Sequence, residues 1–427
     1  MGAAGRDFHN FNTLLRNNEE YEVVAFTATQ IPGIANRAYP PELSGSLYPN
    51  GIPIRPEEEL GKLIDEHQVE EVVFSYSDVS YDYVLERGAI VERHGAEFIL
   101  PDAEDTMLES SKPIVSVGAV RTGSGKSPTT RRIARILIDK GKKVVVVRHP
   151  MPYGDLKKQI VQRFEMVEDL DKHDCTIEER EEYGPLIRKG IVVYAGVDYE
   201  LILREAEKEA DIVIWDGGNN DYPFFKSNLH IVIADALRPG HELTYYPSKV
   251  NVRLANVVII NKVDEADPDD IRTVEENVRS LNSKAKIMKA KLNVVVQDGD
   301  EIEGKRVLAI EDGPTLTHGD MKFGAAVVAA RKYKASELID PTPYAVGSIK
   351  KTLERYGLDN LLPAMGYGDE QIEELEETIN ASDCDIVLSA TPADLSRLLK
   401  ADKPVLKIGY ELVELEEPGL EGLLRDL

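Results

Sequence analysis

Short, unbroken apolar runs separated by longer amphipathic stretches dominate the middle of the chain. Ile114-Val115-Ser116-Val117, Lys143 to Arg148, Ile191 to Tyr194, Ile212 to Trp215, His230 to Ala234, Val257 to Ile260 and Val307 to Glu311 are rich in β-branched residues and do not alternate. Runs of this kind are strands covered on both faces, and the helix-length stretches between them imply a parallel sheet. The helix after the first run is expected over Thr129 to Lys140. In the first quarter, Glu22 to Phe26, Val72 to Tyr76 and Phe98 to Leu100 read as strands, and Pro56 to His67 and Val84 to His94 as helices. Gly2 to Arg6 has the composition of a turn after a first strand, yet almost nothing precedes it. Near the end, Ile386 to Leu388 and Val405 to Ile408 read as strands with Asp394 to Lys400 helical between them, and Asp369 to Asn380 as an acidic, solvated helix. The pattern predicts an α/β protein with one unit over 1–110, a larger parallel-sheet unit over 111–335 and a small α/β region over 336–427. The polar excursion from Pro150 to Lys189 breaks the pattern and is expected to be irregular and to carry function.

Composition narrows the class. A chain of 427 residues has room for two or three domains, and it contains no apolar run long enough to span a bilayer and no secretory leader pattern. Its two cysteines, Cys175 and Cys384, form no CxxC pair, which fits a reducing cytoplasm better than a disulfide framework or a zinc site. A net charge of −25 argues against general affinity for nucleic acid or an anionic membrane. Against that background Lys112, Arg121, Lys126, Arg131, Arg132, Arg135, Lys140, Lys142, Lys143 and Arg148 form a cationic island interrupted by one acid, Asp139. Such an island suits a small polyanion, with Arg132, Lys140, Lys142 and Lys143 expected only to solvate a helix face.

The island contains the strongest motif. Val120-Arg121-Thr122-Gly123-Ser124-Gly125-Lys126-Ser127 lies between a strand and a helix, the setting of a phosphate-binding loop, although Val120 stands where glycine is usual. Gly123, Ser124, Gly125 and Lys126 would cradle phosphate with their backbone N–H groups, Lys126 would reach the outer phosphates, and Ser127 would ligate Mg²⁺. Asp216-Gly217-Gly218-Asn219-Asn220-Asp221 ends another strand, and Asp216, preferred over Asp221, is the candidate second Mg²⁺ group. Asn261-Lys262-Val263-Asp264 reads as a base pocket of the guanine-reading type. Two further loops, one with Arg148 and His149, the other with Arg238 and His241 followed by Lys249 and Arg253, bring cations toward the strand ends where α/β sheets bind ligands. In the excursion, Thr176 and Glu179 are spaced as a capping box, which accounts for the His173/Cys175 neighbourhood better than a metal site does.

Taken together, Ala119 to Ser127, Arg148 to Leu156, Cys175 to Tyr183, Ala195 to Tyr199, Trp215 to Asp221 and Asp235 to Gly240 resemble the cyclic 2,3-diphosphoglycerate synthetase family. The resemblance extends to Gly2 to Phe11, Ala25 to Gly33 and Glu311 to Gly319. It implies a P-loop NTPase of the SIMIBI type with a Rossmann-like N-terminal domain, using ATP and Mg²⁺, with GTP tolerated. The implied reaction is ATP-dependent closure of an intramolecular phosphoanhydride in 2,3-diphosphoglycerate, with Lys126, Arg121, Asp216, Arg148 and His149 as catalytic groups. Arg148, His149, Arg238, His241, Lys249 and Arg253 would hold a small phosphorylated substrate. Two alternatives stay open: a regulatory or chaperone GTPase of the same group acting on a protein partner, which Asn261 to Asp264 favours, and a kinase of a related phosphorylated acid. Neither nucleic acid nor membrane is an expected partner, and a homodimer is allowed.

Overall fold

The computed structural model describes residues 1–427 except 3–4, 30–33, 150, 152–153, 297, 313–315, 317–321, 365–368, 392–394, 396–398 and 426, together with the side chains at 177, 178, 312 and 369. The described residues form two compact units: Met1–Asp174 with Leu186–Ala290 and Glu414–Leu427, and Cys175–Pro185 with Lys291–Val413.

In the first unit the sheet order is Lys286–Val296 (through Lys289), Val257–Asn261, Leu229–Asp235, Ile114–Ala119, Ile212–Asp216, Val144–Arg148, Val192–Gly196 and Val161–Phe164. All neighbours are parallel except the last pair. Ile114–Ala119, Val144–Arg148, Ile212–Asp216, Leu229–Asp235 and Val257–Asn261 are buried at every position, as unbroken apolar runs require. The chain leaves the central strand Ile114–Ala119 toward Val144–Arg148 on one side and later returns to Leu229–Asp235 on the other. That reversal puts the phosphate loop at a topological switch point, where such sheets open a crevice.

The excursion is more regular than its polarity suggested. Val161–Phe164 adds an antiparallel edge to Val192–Gly196, and helices Val167–Lys172 and Ile177–Ile187 follow. Its buried positions, Gln162 and Phe164, face one side only, and one of them is polar, so no continuous apolar run announced the strand. The capping box forms: Thr176 N–H and hydroxyl donate to Glu179 Oε2 at 2.7 and 3.0 Å, and Glu179 N–H donates to Thr176 Oγ1 at 3.2 Å. Pro150, Pro152 and Tyr153 lie outside the described residues.

Before residue 110, Phe26–Ala28 runs parallel to Ile52–Pro56, and Glu71–Val73 parallel to Glu97–Ile99. The strand expected over Glu22 to Phe26 thus starts later, and Ile52–Pro56 was hidden by its two prolines. Met1 and Gly2 lie between the pairs: Gly2 N–H donates to Thr27 O and Ser75 N–H to Met1 O, both at 2.9 Å. Residues 1–110 group with the phosphate-loop sheet rather than standing alone, because Val79–Ser80 pairs with Tyr245–Tyr246 and Leu108 bridges to Phe225. Lys140 and Lys142, expected merely to solvate a helix, donate to carbonyls of Leu424 and Leu427 at 3.0 and 2.9 Å, and Arg132 pairs with Glu414.

In the second unit the strands Glu337–Leu338, Arg306–Asp312, Ile386–Ser389 and Val405–Glu414 pair in that order, all parallel, with Leu362–Ala364 also on Arg306–Asp312. The run Val307 to Glu311 falls in this unit, where its partners are Ile386–Ser389 and Leu362–Ala364. The acidic helix is observed over Asp369–Ala381, whereas most of the helix expected over Asp394 to Lys400 lies outside the described residues. No helix among the described residues is long and apolar enough to cross a membrane.

Candidate functional site: the phosphate loop and its braces

Strand Ile114–Ala119 feeds the loop 120–125, and helix Lys126–Asp139 leaves it. Gly123 (φ 79°) and Gly125 (φ 111°) occupy left-handed backbone that glycine adopts without penalty. Val120 replaces the usual glycine for a packing reason. It is fully buried in a cluster with Val232, Ala234, Val252 and Ile260, while its carbonyl accepts from Asn220 Nδ2 at 3.2 Å and Ser248 Oγ at 2.5 Å.

Three consecutive loop carbonyls are pinned from outside. Arg238 Nη2 donates to Thr122 O at 2.9 Å, Lys262 Nζ to Gly123 O at 2.8 Å and Asn261 Nδ2 to Ser124 O at 2.8 Å. A planar trans peptide points its N–H opposite to its carbonyl, so these bonds turn the Gly123 and Gly125 amides inward. Ser124 N–H keeps a 3.3 Å bond to Arg121 O. With the first amides of helix Lys126–Asp139, the inward groups make an anion nest at a positive helix end.

At the inner side lies Asp216, in register with Arg148 on the neighbouring strand. Arg148 Nη1 donates to Asp216 Oδ2, and Lys126 Nζ to Oδ1 at 3.2 Å. Burial opposes the charge of Asp216, but Arg148 and then Lys126 outweigh it and hold the carboxyl below the usual range. Ser127, half-buried, is the second residue of the helix. A hydroxyl and an ionised carboxylate beside the nest are hard oxygen donors, which fits Mg²⁺. His149 donates its backbone N–H to Asp216 O at 3.3 Å, and its ring lies where a Cβ on Gly218 would sit, 2.3 Å away. Burial, then Arg148, Lys126 and Arg6, push the His149 imidazole down to about 3. The expected charged histidine donor is therefore neutral.

Several cations expected to face substrate are committed elsewhere. Arg121 Nε lies 2.6 Å from Asp78 Oδ1, its Nη1 is 3.1 Å from His241 Nδ1, and its guanidinium stacks on Tyr245 at 3.5 Å. Arg238 and Lys262 both grip Asp235 Oδ2 at 2.7 Å. Lys249 stacks on Tyr81, and Arg253 is exposed on the same helix, Ser248–Leu254. Of the base-pocket residues, Asn261 and Lys262 brace the loop, and Asp264 is exposed. Burial lowers the Lys262 ammonium, with Asp235 partly restoring it.

A sequence profile described as "Cyclic 2,3-diphosphoglycerate synthetase, P-loop domain" matches residues 189–291. Arginine synthetase ArcE of Thermococcus kodakarensis is 58% identical over 427 residues, covering 100% of this chain and 95% of that protein. The chain belongs to the cyclic 2,3-diphosphoglycerate synthetase family. It is a P-loop synthetase. The cyclic 2,3-diphosphoglycerate synthetase of Methanothermobacter thermautotrophicus is itself more distant, at 30% identity over 108 residues, 25% of this chain and 23% of that protein. Among solved structures, LpxK from Aquifex aeolicus in complex with ATP aligns at TM-score 0.46 and 14% identity, over 81% of this chain and 95% of that one.

In this family member four site residues escaped the sequence reading: Arg6, Asp78, Asn220 and Asp235. Arg6 Nε donates to both Asp221 oxygens at 2.9 and 3.1 Å, and its guanidinium lies between Tyr222 and Phe224. Asp221 thus pairs with Arg6, whereas Asp216 pairs with Arg148 and with Lys126 of the loop. Asn220 Oδ1 accepts from Asp78 N–H at 2.7 Å while its amide donates to three partners. Asp235 carried a usable signal, a carboxylate ending an apolar strand like Asp216. Arg6 and Asp78 carried none, because their partners lie far away in sequence.

Proposed function

We propose that the chain is an ATP- and Mg²⁺-dependent synthetase that forms arginine. The observation that carries this reading is charge pairing. Arg148 and Lys126 share Asp216, Arg238 and Lys262 share Asp235, Arg121 has Asp78 and Arg6 has Asp221. The cationic surplus that suggested a polyanionic acceptor is thereby largely neutralised, and what remains matches one Mg²⁺-nucleotide better than a nucleotide plus a diphosphate. The name of the full-length relative supports the same product.

The product's chemistry supports one class of acceptor. Arginine carries a C=N where its δ-ureido counterpart, citrulline, carries C=O. The ureido oxygen attacks the γ-phosphorus, the bond to the bridging oxygen breaks, and ADP leaves. Ammonia adds to the activated carbon, a proton is lost, and phosphate departs with the former ureido oxygen. The inward amides of Gly123 and Gly125 and the Lys126 ammonium would hold and neutralise the phosphates, where preorganised charge counts most. Ser127 and Asp216 would hold Mg²⁺, which when bound neutralises charge between the outer phosphates. Arg148 would keep Asp216 ionised and oriented, and neutral His149 would offer a hydrogen bond without adding charge.

The second reading is ring closure of 2,3-diphosphoglycerate, which the distant family relative favours. Full-length protein with ATP and Mg²⁺ is given either citrulline and ammonium or 2,3-diphosphoglycerate, and ADP and product are followed by mass spectrometry. Acceptor-dependent arginine formation is expected. ADP release with 2,3-diphosphoglycerate alone would establish the second reading instead.

A further inference from the structure

Immediately before the nest, two hydrogen-bond donors and a guanidinium converge on one carboxylate. Thr122 N–H and Oγ1 donate to Asp78 Oδ2 at 3.2 and 2.6 Å, and Arg121 Nε lies 2.6 Å from Oδ1. A backbone amide, a hydroxyl and a guanidinium around one point form an anion site in their own right. Here a side chain of the protein fills it. Asp78 comes from the segment after Glu71–Val73, far from the loop in sequence, and its own N–H is held by Asn220 Oδ1 at 2.7 Å and Tyr246 O at 2.9 Å.

Asp78 also sits at φ 60°, which a non-glycine residue holds only when its surroundings dictate it. Thr122 is consequently gripped on both sides, through its amide and hydroxyl by Asp78 and through its carbonyl by Arg238. The Thr122 amide is turned to Asp78, so the phosphate-accepting run of amides begins one residue later, at Gly123.

We propose that Asp78 is a specificity-determining internal anion: it occupies the Thr122/Arg121 anion site, fixes the start of the phosphate nest, and excludes a second phosphate from that position. This deepens the arginine-forming reading and rests on it, since an acceptor without phosphates needs no second phosphate site. Without the carboxylate, the site becomes an open receptor for small anions beside the nucleotide.

The conformation at Asp78 supplies a clean variant, because glycine adopts φ 60° without strain. Asp78→Gly removes the carboxylate and keeps the backbone path. Its acceptor-dependent kcat/KM should fall at least tenfold, and formate or acetate at tens of millimolar should restore much of kcat, which simple destabilisation would not permit. Inorganic phosphate, titrated calorimetrically against the variant without nucleotide, should bind at least tenfold tighter than to the wild type. Asp78→Asn, which keeps the shape but not the charge, should be intermediate and insensitive to formate. Wild-type turnover in Asp78→Gly would overturn the proposal, as would a loss that neither formate nor acetate restores. A wild type that makes no arginine, combined with formate rescue of the ATP turnover lost in Asp78→Gly, would reject the arginine reading alone. Arginine formation with no anion rescue would reject only the role of Asp78.

Discussion

At the scale of single residues the site is a set of buried charges whose partners decide their roles. Among the described residues, Lys126 is the one cation that both touches Asp216 and stands at the nest. Lys126→Ala should lower ATP turnover about 100-fold or more, the size expected when a positioned charge stabiliser is lost. Arg148 still compensates Asp216 in that variant, so the melting temperature should move little; near wild-type turnover would remove Lys126 from the phosphate site. Arg148 behaves differently because it is buried against a buried carboxylate. Arg148→Ala should reduce acceptor-dependent kcat/KM by about 2–4 kcal/mol and also destabilise the fold, since an uncompensated carboxylate is costly. Paired titrations on folded protein separate its roles: nucleotide affinity should change far less than acceptor-dependent turnover. Equal losses in both would assign Arg148 to the nucleotide.

Among elements, the loop owes its shape to the ends of two neighbouring strands. Leu229–Asp235 and Val257–Asn261 pair so that Asp235 lies beside Asn261, which brings Arg238, Lys262 and Asn261 against the loop carbonyls together. Asn261→Ala deletes one brace and leaves the Ser124 carbonyl without its donor. One hydrogen bond of this kind contributes about 1 kcal/mol, so the KM for ATP should rise about fivefold with kcat nearly unchanged. A guanine-reading role for Asn261 to Asp264 would instead show itself as a change in the ATP-to-GTP preference, measured by competition binding on the same variant. The expectation is no change in preference, because Asn261 and Lys262 are spent on the loop and Asp264 alone faces outward.

For the whole molecule, acid sensitivity follows from histidines buried in neutral form. Burial, then Arg6, push His9 down to about 3, although its Nε2 lies 2.6 Å from Thr106 O. Burial pushes His230 down to about 4 despite its contact with Asn251. The unfolded chain protonates both near 6.5 while the folded protein does not, so the unfolded state binds more protons. Stability should therefore be unaffected above about pH 6.5 and should fall as the pH drops from there toward 4, by up to about 1.4 kcal/mol per pH unit for each histidine. Thermal melts at constant ionic strength across pH 4–8 test this, and His230→Gln should flatten the slope by one proton's share. A pH-independent melting temperature between 6.5 and 5 would contradict the burial of both rings.

The sequence by itself determined the parallel sheet, the phosphate loop and the strand-end aspartate, because unbroken β-branched runs, a glycine-rich turn before a helix and a carboxylate closing an apolar run are local signals. Lys126, Ser127 and Asp216 were legible for that reason. The fate of the other charges was not. Arg121 looked like a catalytic cation in the chain, Arg238 like a substrate cation and Lys262 like part of a base pocket; all three are paired in the fold, since register and chain crossing placed Asp78 and Asp235 against them. His149 looked protonatable until burial among Arg148, Lys126 and Arg6 made its charged form unfavourable. Arg6 and Asp78 were invisible, because a side chain's partner 215 or 44 positions away is set by topology rather than by spacing. Local sequence fixes which groups are present and which backbone carries them; only tertiary structure decides which charges cancel, and that cancellation is what changes the kind of substrate the site can take.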